Sequence, residues 1–146
     1  MDISGEQFNN DFLSVFVPTG WKLFYGANSD GKPSPKKLHI YKNAQTELDI
    51  LSKAGITICL YERNEIFLSP KAFYDNVKDM NAFELGGYLW NGFTCTSLNY
   101  PYTMLDSACD GITLQVMILM ENGDHRISLD DIDVRSIIES ISTYVK

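Results

Sequence analysis

Between Phe83 and Met120 the chain is a succession of apolar runs broken by Asn91-Gly92 and Asp110-Gly111, and Asn122-Gly123 follows directly. Asn-Gly and Asp-Gly adopt positive φ readily and close the tight primed turns whose twist suits antiparallel strands. Two-residue turns at the first two sites would set Trp90 opposite Phe93, Tyr88 opposite Cys95 and Cys109 opposite Ile112. This spacing predicts an antiparallel meander. The strongest strand in it is Ile112–Met120, where Ile112, Leu114, Val116, Ile118 and Met120 share one face and Met117 and Leu119 make the other largely apolar. Apolarity on both sides marks a central strand covered on both faces.

The flanking segments fill out the expectation. Phe12–Val17, Pro18 and Thr19-Gly20 lead into Trp21–Tyr25 as a first hairpin, with Pro18 confined to the connection because it cannot donate a ladder hydrogen bond. Residues 27–35 read as a loop, and Lys37–Tyr41 and Ile56–Tyr61 as strands. Residues 43–55 favour a helix from the spacing of Ala44, Leu48, Leu51 and Ala54, with Asn43 as cap and Gly55 as its end, although Leu48, Ile50 and Leu51 also suit a short strand. Ser69-Pro70 predicts a helix carrying Phe73, Val77 and Met80 on one stripe. A closing helix begins at Ser128 and Asp131, a capping-box pattern with Asp in place of Glu. Leu129, Ile132, Ile137 and Ile141 form its packing face, widened by Val134 and Ile138. The expected fold class is α+β: one domain over 1–146, with a flexible polar segment at 1–11 and a central antiparallel sheet with helices packed on both faces.

At 146 residues and a net charge of −7, the chain has one domain's worth of core, and its acidic balance argues against nucleic acid or an anionic membrane as the main partner. No stretch is long and apolar enough to predict membrane insertion, and residues 1–11 lack a basic, apolar signal pattern. That reads as cytoplasmic for a complete chain, and as exported or tethered if a leader has been removed. Cys59, Cys95 and Cys109 are too dispersed for a zinc site and read as buried thiols, with a Cys95–Cys109 disulfide as the exception.

Chemistry-bearing patterns are sparse. Asp124-His125 follows a turn signal, and strand neighbours point to opposite faces. His39 lies between Leu38 and Ile40 and so faces away from them. Asp130, Asp131 and Asp133 lack the glycine and glutamate of a calcium loop and suit a helix start. Gly86-Gly87 is not followed by a phosphate-loop Lys-Ser/Thr and reads as a strand bend or bulge. No catalytic residue, metal or cofactor is expected. The aromatic group is the candidate binding surface, namely Tyr88, Trp90, Tyr100 and Tyr102, with Tyr100-Pro101-Tyr102 presented on a stiffened loop.

Phe12 to Trp21, with its Pro18-Thr19-Gly20-Trp21 end, then Gly87 to Phe93, and the terminal Ser128-Leu129-Asp130-Asp131 ahead of a helix, resemble the PsbP-like domains, the superfamily of the photosystem II extrinsic subunit and a Ran-binding relative. The resemblance spans nearly the whole chain and implies a sheet sandwiched by helices, used for binding rather than catalysis. It carries over no catalytic residue. The sequence thus points to a noncatalytic protein-binding module or accessory domain of a bacterial assembly. The alternative is a small-ligand carrier or small enzyme with its pocket between sheet and helix.

Overall fold

The computed structural model describes residues 3–144. Its frame is one seven-stranded sheet with every neighbouring pair antiparallel, in the order β3-β4-β5-β9-β8-β7-β6. The strands are β3 (Trp21–Ala27), β4 (Pro33–Lys42), β5 (Gly55–Tyr61), β6 (Asp75–Leu85), β7 (Tyr88–Ser97), β8 (Tyr100–Cys109) and β9 (Ile112–Leu119). β3–β5 and β6–β9 are two meanders joined by the β5–β9 ladder, so β9 is the middle strand, as its two-sided apolarity predicts. β1 (Gly5–Asn9), β2 (Leu13–Pro18) and β12 (Ser142–Thr143) form a second, three-stranded sheet. β10 (Glu121–Asn122) and β11 (His125–Arg126) make a small hairpin, and α1 (Ile132–Glu139) is the one α-helix among the described residues.

The large sheet has two unlike faces. Paired residues across an antiparallel ladder share a face, so Leu38, Ile58, Val116 and Leu105 form one row, and Ile40, Ile56 and Ile118 the next. This first face is sealed by β2, through Leu13 and Val15, and by α1 with its following turn, through Val134, Ile137, Ile138 and Ile141; together they make the main core. Ser140 ties the two covering elements together, its Oγ accepting from Phe16 N at 2.7 Å. The second face carries Tyr41, Leu119, Phe93, Cys95 and Met104, and among the described residues no α-helix or second sheet lies over it.

The α+β sandwich with helices on both faces is therefore not what forms: the protein is mostly β, with the one α-helix of the described residues on one face only. Ser69-Pro70 starts only a single 3-10 turn, Pro70–Phe73, after which the predicted helix is strand β6. The 75–85 stretch contains two Asp and two Asn, poor helix formers. Two bulges in β6 let it pair along β7 despite its helix-like apolar spacing. Residues 43–55 likewise yield only the 3-10 turn Glu47–Leu51, capped reciprocally by Thr46 and Asp49, and Gly55 opens β5 rather than closing a helix.

The first hairpin is also redrawn. β2 pairs with β1 and β12, while β3 enters the large sheet, the chain turning the corner at Gly20 with φ of 91°. The polar stretch read as a flexible segment contains β1. Asn91-Gly92 is not a turn but the middle of β7. Trp90 pairs with Phe83, Phe93 with Met104 and Cys95 with Tyr102. The actual hairpin loops are Gly86-Gly87, with φ of 67° and 86°, and Leu98-Asn99, with φ of 51° and 70°. Asp110-Gly111 does close its hairpin, with Cys109 opposite Ile112. In the closing helix Asp131 is the N-cap and its carboxylate accepts from Ser128 N at 2.9 Å. Val134, Ile137 and Ile138 are buried, whereas Ile132 is exposed.

Candidate functional site

The second sheet face owes its form to the β5-to-β6 connection. β5 and β6 run in the same direction at places three and seven of the sheet, so residues 62–74 must cross from one end of the sheet to the other. They cross over the second face. The Phe67 ring lies 5.2 Å from that of Tyr61, Lys71 Nζ sits 5.6 Å above the Phe93 ring, and Tyr74 packs on the Phe93–Cys95–Met104 cluster. At its start this strap is held by Lys36, whose Nζ reaches Glu62 Oε2 at 2.9 Å and Glu65 Oε1 at 2.7 Å. The hydrogen bond from Lys36, followed by that from Glu62 N, holds the Glu65 carboxyl below its usual range. Arg63 Nε adds a bond to Asp110 O at 2.8 Å, and Lys71 pairs with Asp79.

The strap covers without sealing. None of its residues is buried, and Ile66, Leu68 and Phe73 are 80%, 80% and 88% exposed. Leu48 and Leu51 stand out from the 3-10 turn whose Ile50 packs on the Tyr41–Leu119 cluster, and Leu98 stands at the β7–β8 turn. Leu89 and Tyr100 belong to the second face by strand alternation. Eight of the eleven exposed large hydrophobic side chains among the described residues thus lie on or around this one face. Apolar groups scattered singly need no explanation, but a concentration of this kind marks an interaction surface.

The floor beneath is apolar with a polar band. The Tyr41 ring lies flat over Gly55, where a Cβ would fall 2.2 Å from its Cγ, so glycine is what permits this packing. Burial, and then the neighbouring Tyr102, push the Tyr41 hydroxyl up to about 12. His39 Nδ1 lies 2.8 Å from Thr57 Oγ1, and burial followed by the Lys37 charge lowers its pKa. Cys59, Gln115, Asp106 and Asn91 form one row by register. Burial raises the Cys59 thiol to about 11 and pushes the Asp106 carboxyl upward.

These groups do not assemble a reaction centre. Among the described residues no three His, Cys, Asp or Glu side chains converge in a metal-binding arrangement, and neither histidine contacts a carboxylate or thiol. His125 Nε2 instead lies 3.4 Å from Lys53 Nζ, beside a polar cleft of about 220 Å³ shared with Lys42 and Asp124. The three cysteines are free: Cys59 and Cys95 are buried and Cys109 is exposed. Cys95 faces Tyr102, seven residues along β8 from Cys109, which keeps the two thiols apart.

The four aromatics singled out by sequence are divided between faces. Tyr102 and Tyr100 belong to the second face, half-buried and 43% exposed respectively. Trp90 is fully buried on the first face, its indole N–H donating to Leu85 O at 3.1 Å. Tyr88 is half-buried beside it, lining a separate cleft with Arg63 and Cys109. Sequence reasoning missed Ile66, Leu68 and Phe73. The signal for the first two was an apolar pair set in an otherwise polar loop, and Phe73 had been assigned to a helix stripe.

Comparison with known proteins leaves this geometry as the main guide. No family model matches the chain. No curated protein matches it either. Among solved structures it is similar to one from Bacteroides thetaiotaomicron VPI-5482, with a TM-score of 0.55 at 10% identity. The match covers 95% of this chain and 48% of that one, so the chain spans about half the length of its neighbour. At that identity the likeness concerns the fold alone. No helix among the described residues is long and apolar enough to cross a membrane.

Proposed function

We propose that this chain is a noncatalytic protein-binding module whose contact surface is the strap and the sheet face beneath it. The observation that carries the reading is the gathering of Ile66, Leu68, Phe73, Leu48, Leu51 and Leu98 around a face over which the described residues place no second layer. A sheet face needs an apolar cover to be fully desolvated, and here the strap leaves that cover incomplete. The favoured partner is a protein with an apolar surface of its own, which would complete the missing layer. Met104 and Met117 in the floor suit such a role, because thioether side chains adapt to the shape laid on them.

Photocrosslinking in the cells that make the protein tests the reading. A photoreactive residue at position 73 should give a discrete crosslinked species, while one at position 144 on the opposite side should not. Ile66→Ser with Leu68→Ser should abolish the species and leave thermal unfolding nearly unchanged, since neither side chain is buried. Equal crosslinking from both positions, or a species indifferent to the serine substitutions, would place the surface elsewhere.

A further inference from the structure

A different surface, on the α1 side of the sheet, has chemistry of its own. Where β8 begins and β9 ends, an open cleft of about 420 Å³ is lined by Pro101, Met120, Ile127, Glu121, Arg126 and Asp131. Pro101 and Met120 are half-buried and Ile127 is buried, giving an apolar floor that faces solvent. The floor is held in place from below and beside: Met120 N donates to Pro101 O at 3.0 Å, Ile127 N to Met120 O at 2.9 Å, and Thr103 Oγ1 to Met120 Sδ at 3.1 Å.

The rim is acidic. Glu121 and Asp131 line the cleft, and Asp130 precedes Asp131 in the loop before α1. Arg126 offsets one of these charges by pairing with Glu121 at 3.5 Å. Asp130 and Asp131 have no ion-pair partner among the described residues. Asp131 accepts Ser128 N, but that bond leaves its charge in place. Because Asp131 stands at the N-cap position of α1 and Asp133 follows in its first turn, the helix start already has its negative charge and offers little to an anion.

We infer that this cleft binds a short cationic segment of another protein, an apolar side chain seated on Pro101, Met120 and Ile127 and flanking Lys or Arg side chains paired with the rim acids. The apolar floor selects a side chain over a bare cation, and the uncompensated acids select positive flanks. The inference does not depend on the strap surface, which lies on the other side of the sheet.

Fluorescence anisotropy with the whole chain and labelled nine-residue probe peptides tests it. Three probes carry a central leucine flanked by lysines, serines or glutamates, and a fourth carries a central serine flanked by lysines. The lysine-flanked leucine probe should saturate, bind about tenfold more tightly than the serine-flanked one, and weaken as salt is raised. Asp130→Asn with Asp131→Asn, which keeps an amide oxygen to accept from Ser128 N, should reduce its affinity by about tenfold, as expected for two exposed ion pairs. Equal binding of the lysine- and serine-flanked leucine probes would overturn the charge selection. Equal binding of the two lysine-flanked probes would overturn the apolar seat. Absence of saturable binding, or no effect of the paired Asn substitutions, would overturn the site.

Discussion

Gly86 and Gly87 form one hairpin loop with nearly the same backbone, φ of 67° and 86°, yet an added methyl would meet different surroundings at each. At Gly87 a Cβ finds nothing within 4 Å, so Gly87→Ala should cost only the left-handed strain, about 1–2 kcal/mol. At Gly86 the same Cβ would stand 2.4 Å from Glu139 O, 2.8 Å from its Cα and 2.9 Å from its carbonyl carbon. These are backbone atoms at the end of α1 and cannot rotate away. Gly86→Ala therefore carries the same strain plus an overpacking penalty of about 1–3 kcal/mol, or a displacement of α1 from the sheet. For a domain of this size each kcal/mol lowers Tm by roughly 2–4 °C, so the extra loss at Gly86 should be roughly 2–12 °C. Urea unfolding followed by tryptophan fluorescence reads the same difference, with Trp90 beside this loop. Equal losses for the two alanines would refute the view that close packing of α1, rather than turn geometry alone, requires glycine at position 86.

Val116→Asp should cost several kcal/mol by burying an unpaired carboxylate at a fully enclosed position in β9, and an unchanged Tm would show that face to be open. The lowered pKa of His39 means the unfolded chain binds the proton more readily, so stability should fall as pH drops below about 6.5; His39→Gln should flatten that slope, and an identical slope would refute it. Under native conditions Cys109 should react quickly with a thiol reagent and Cys59 and Cys95 only slowly, so fast modification of all three would contradict their placement.

The turn signals show what can be read locally and what cannot. Asp110-Gly111 was legible because both residues take positive φ in a two-residue loop. Asn91-Gly92 offers the same pattern for another reason: a Cβ on Gly92 would lie 2.7 Å from Leu105 Cδ2, so the glycine serves close packing within a strand. The turn beyond it places Leu98 at φ 51°, a conformation no local propensity assigns to leucine. β9 could be recognised from its two-sided apolarity, and α1 from its acids and apolar stripe. β6 could not, because Ser69-Pro70 is a sound helix start and the bulged pairing with β7 that overrides it is a tertiary effect. The same misreading hid the candidate surface, since a helix there would have covered the face that the strap leaves partly bare.

The path of the strap also has a consequence for how the sheet assembles. Each meander can form from neighbouring hairpins, but the β5–β9 ladder joins residues about fifty to sixty positions apart, from Tyr61 with Thr113 to Gly55 with Leu119. Closing so long a loop is entropically costly, although less so once β6–β9 have collapsed into a unit. The seam between β5 and β9, with Ile58 against Val116 at its middle, is thus where the transition state for folding should concentrate. The strap only has to span the distance. Its sequence should set how fast the finished protein opens locally, and the seam how fast it is made.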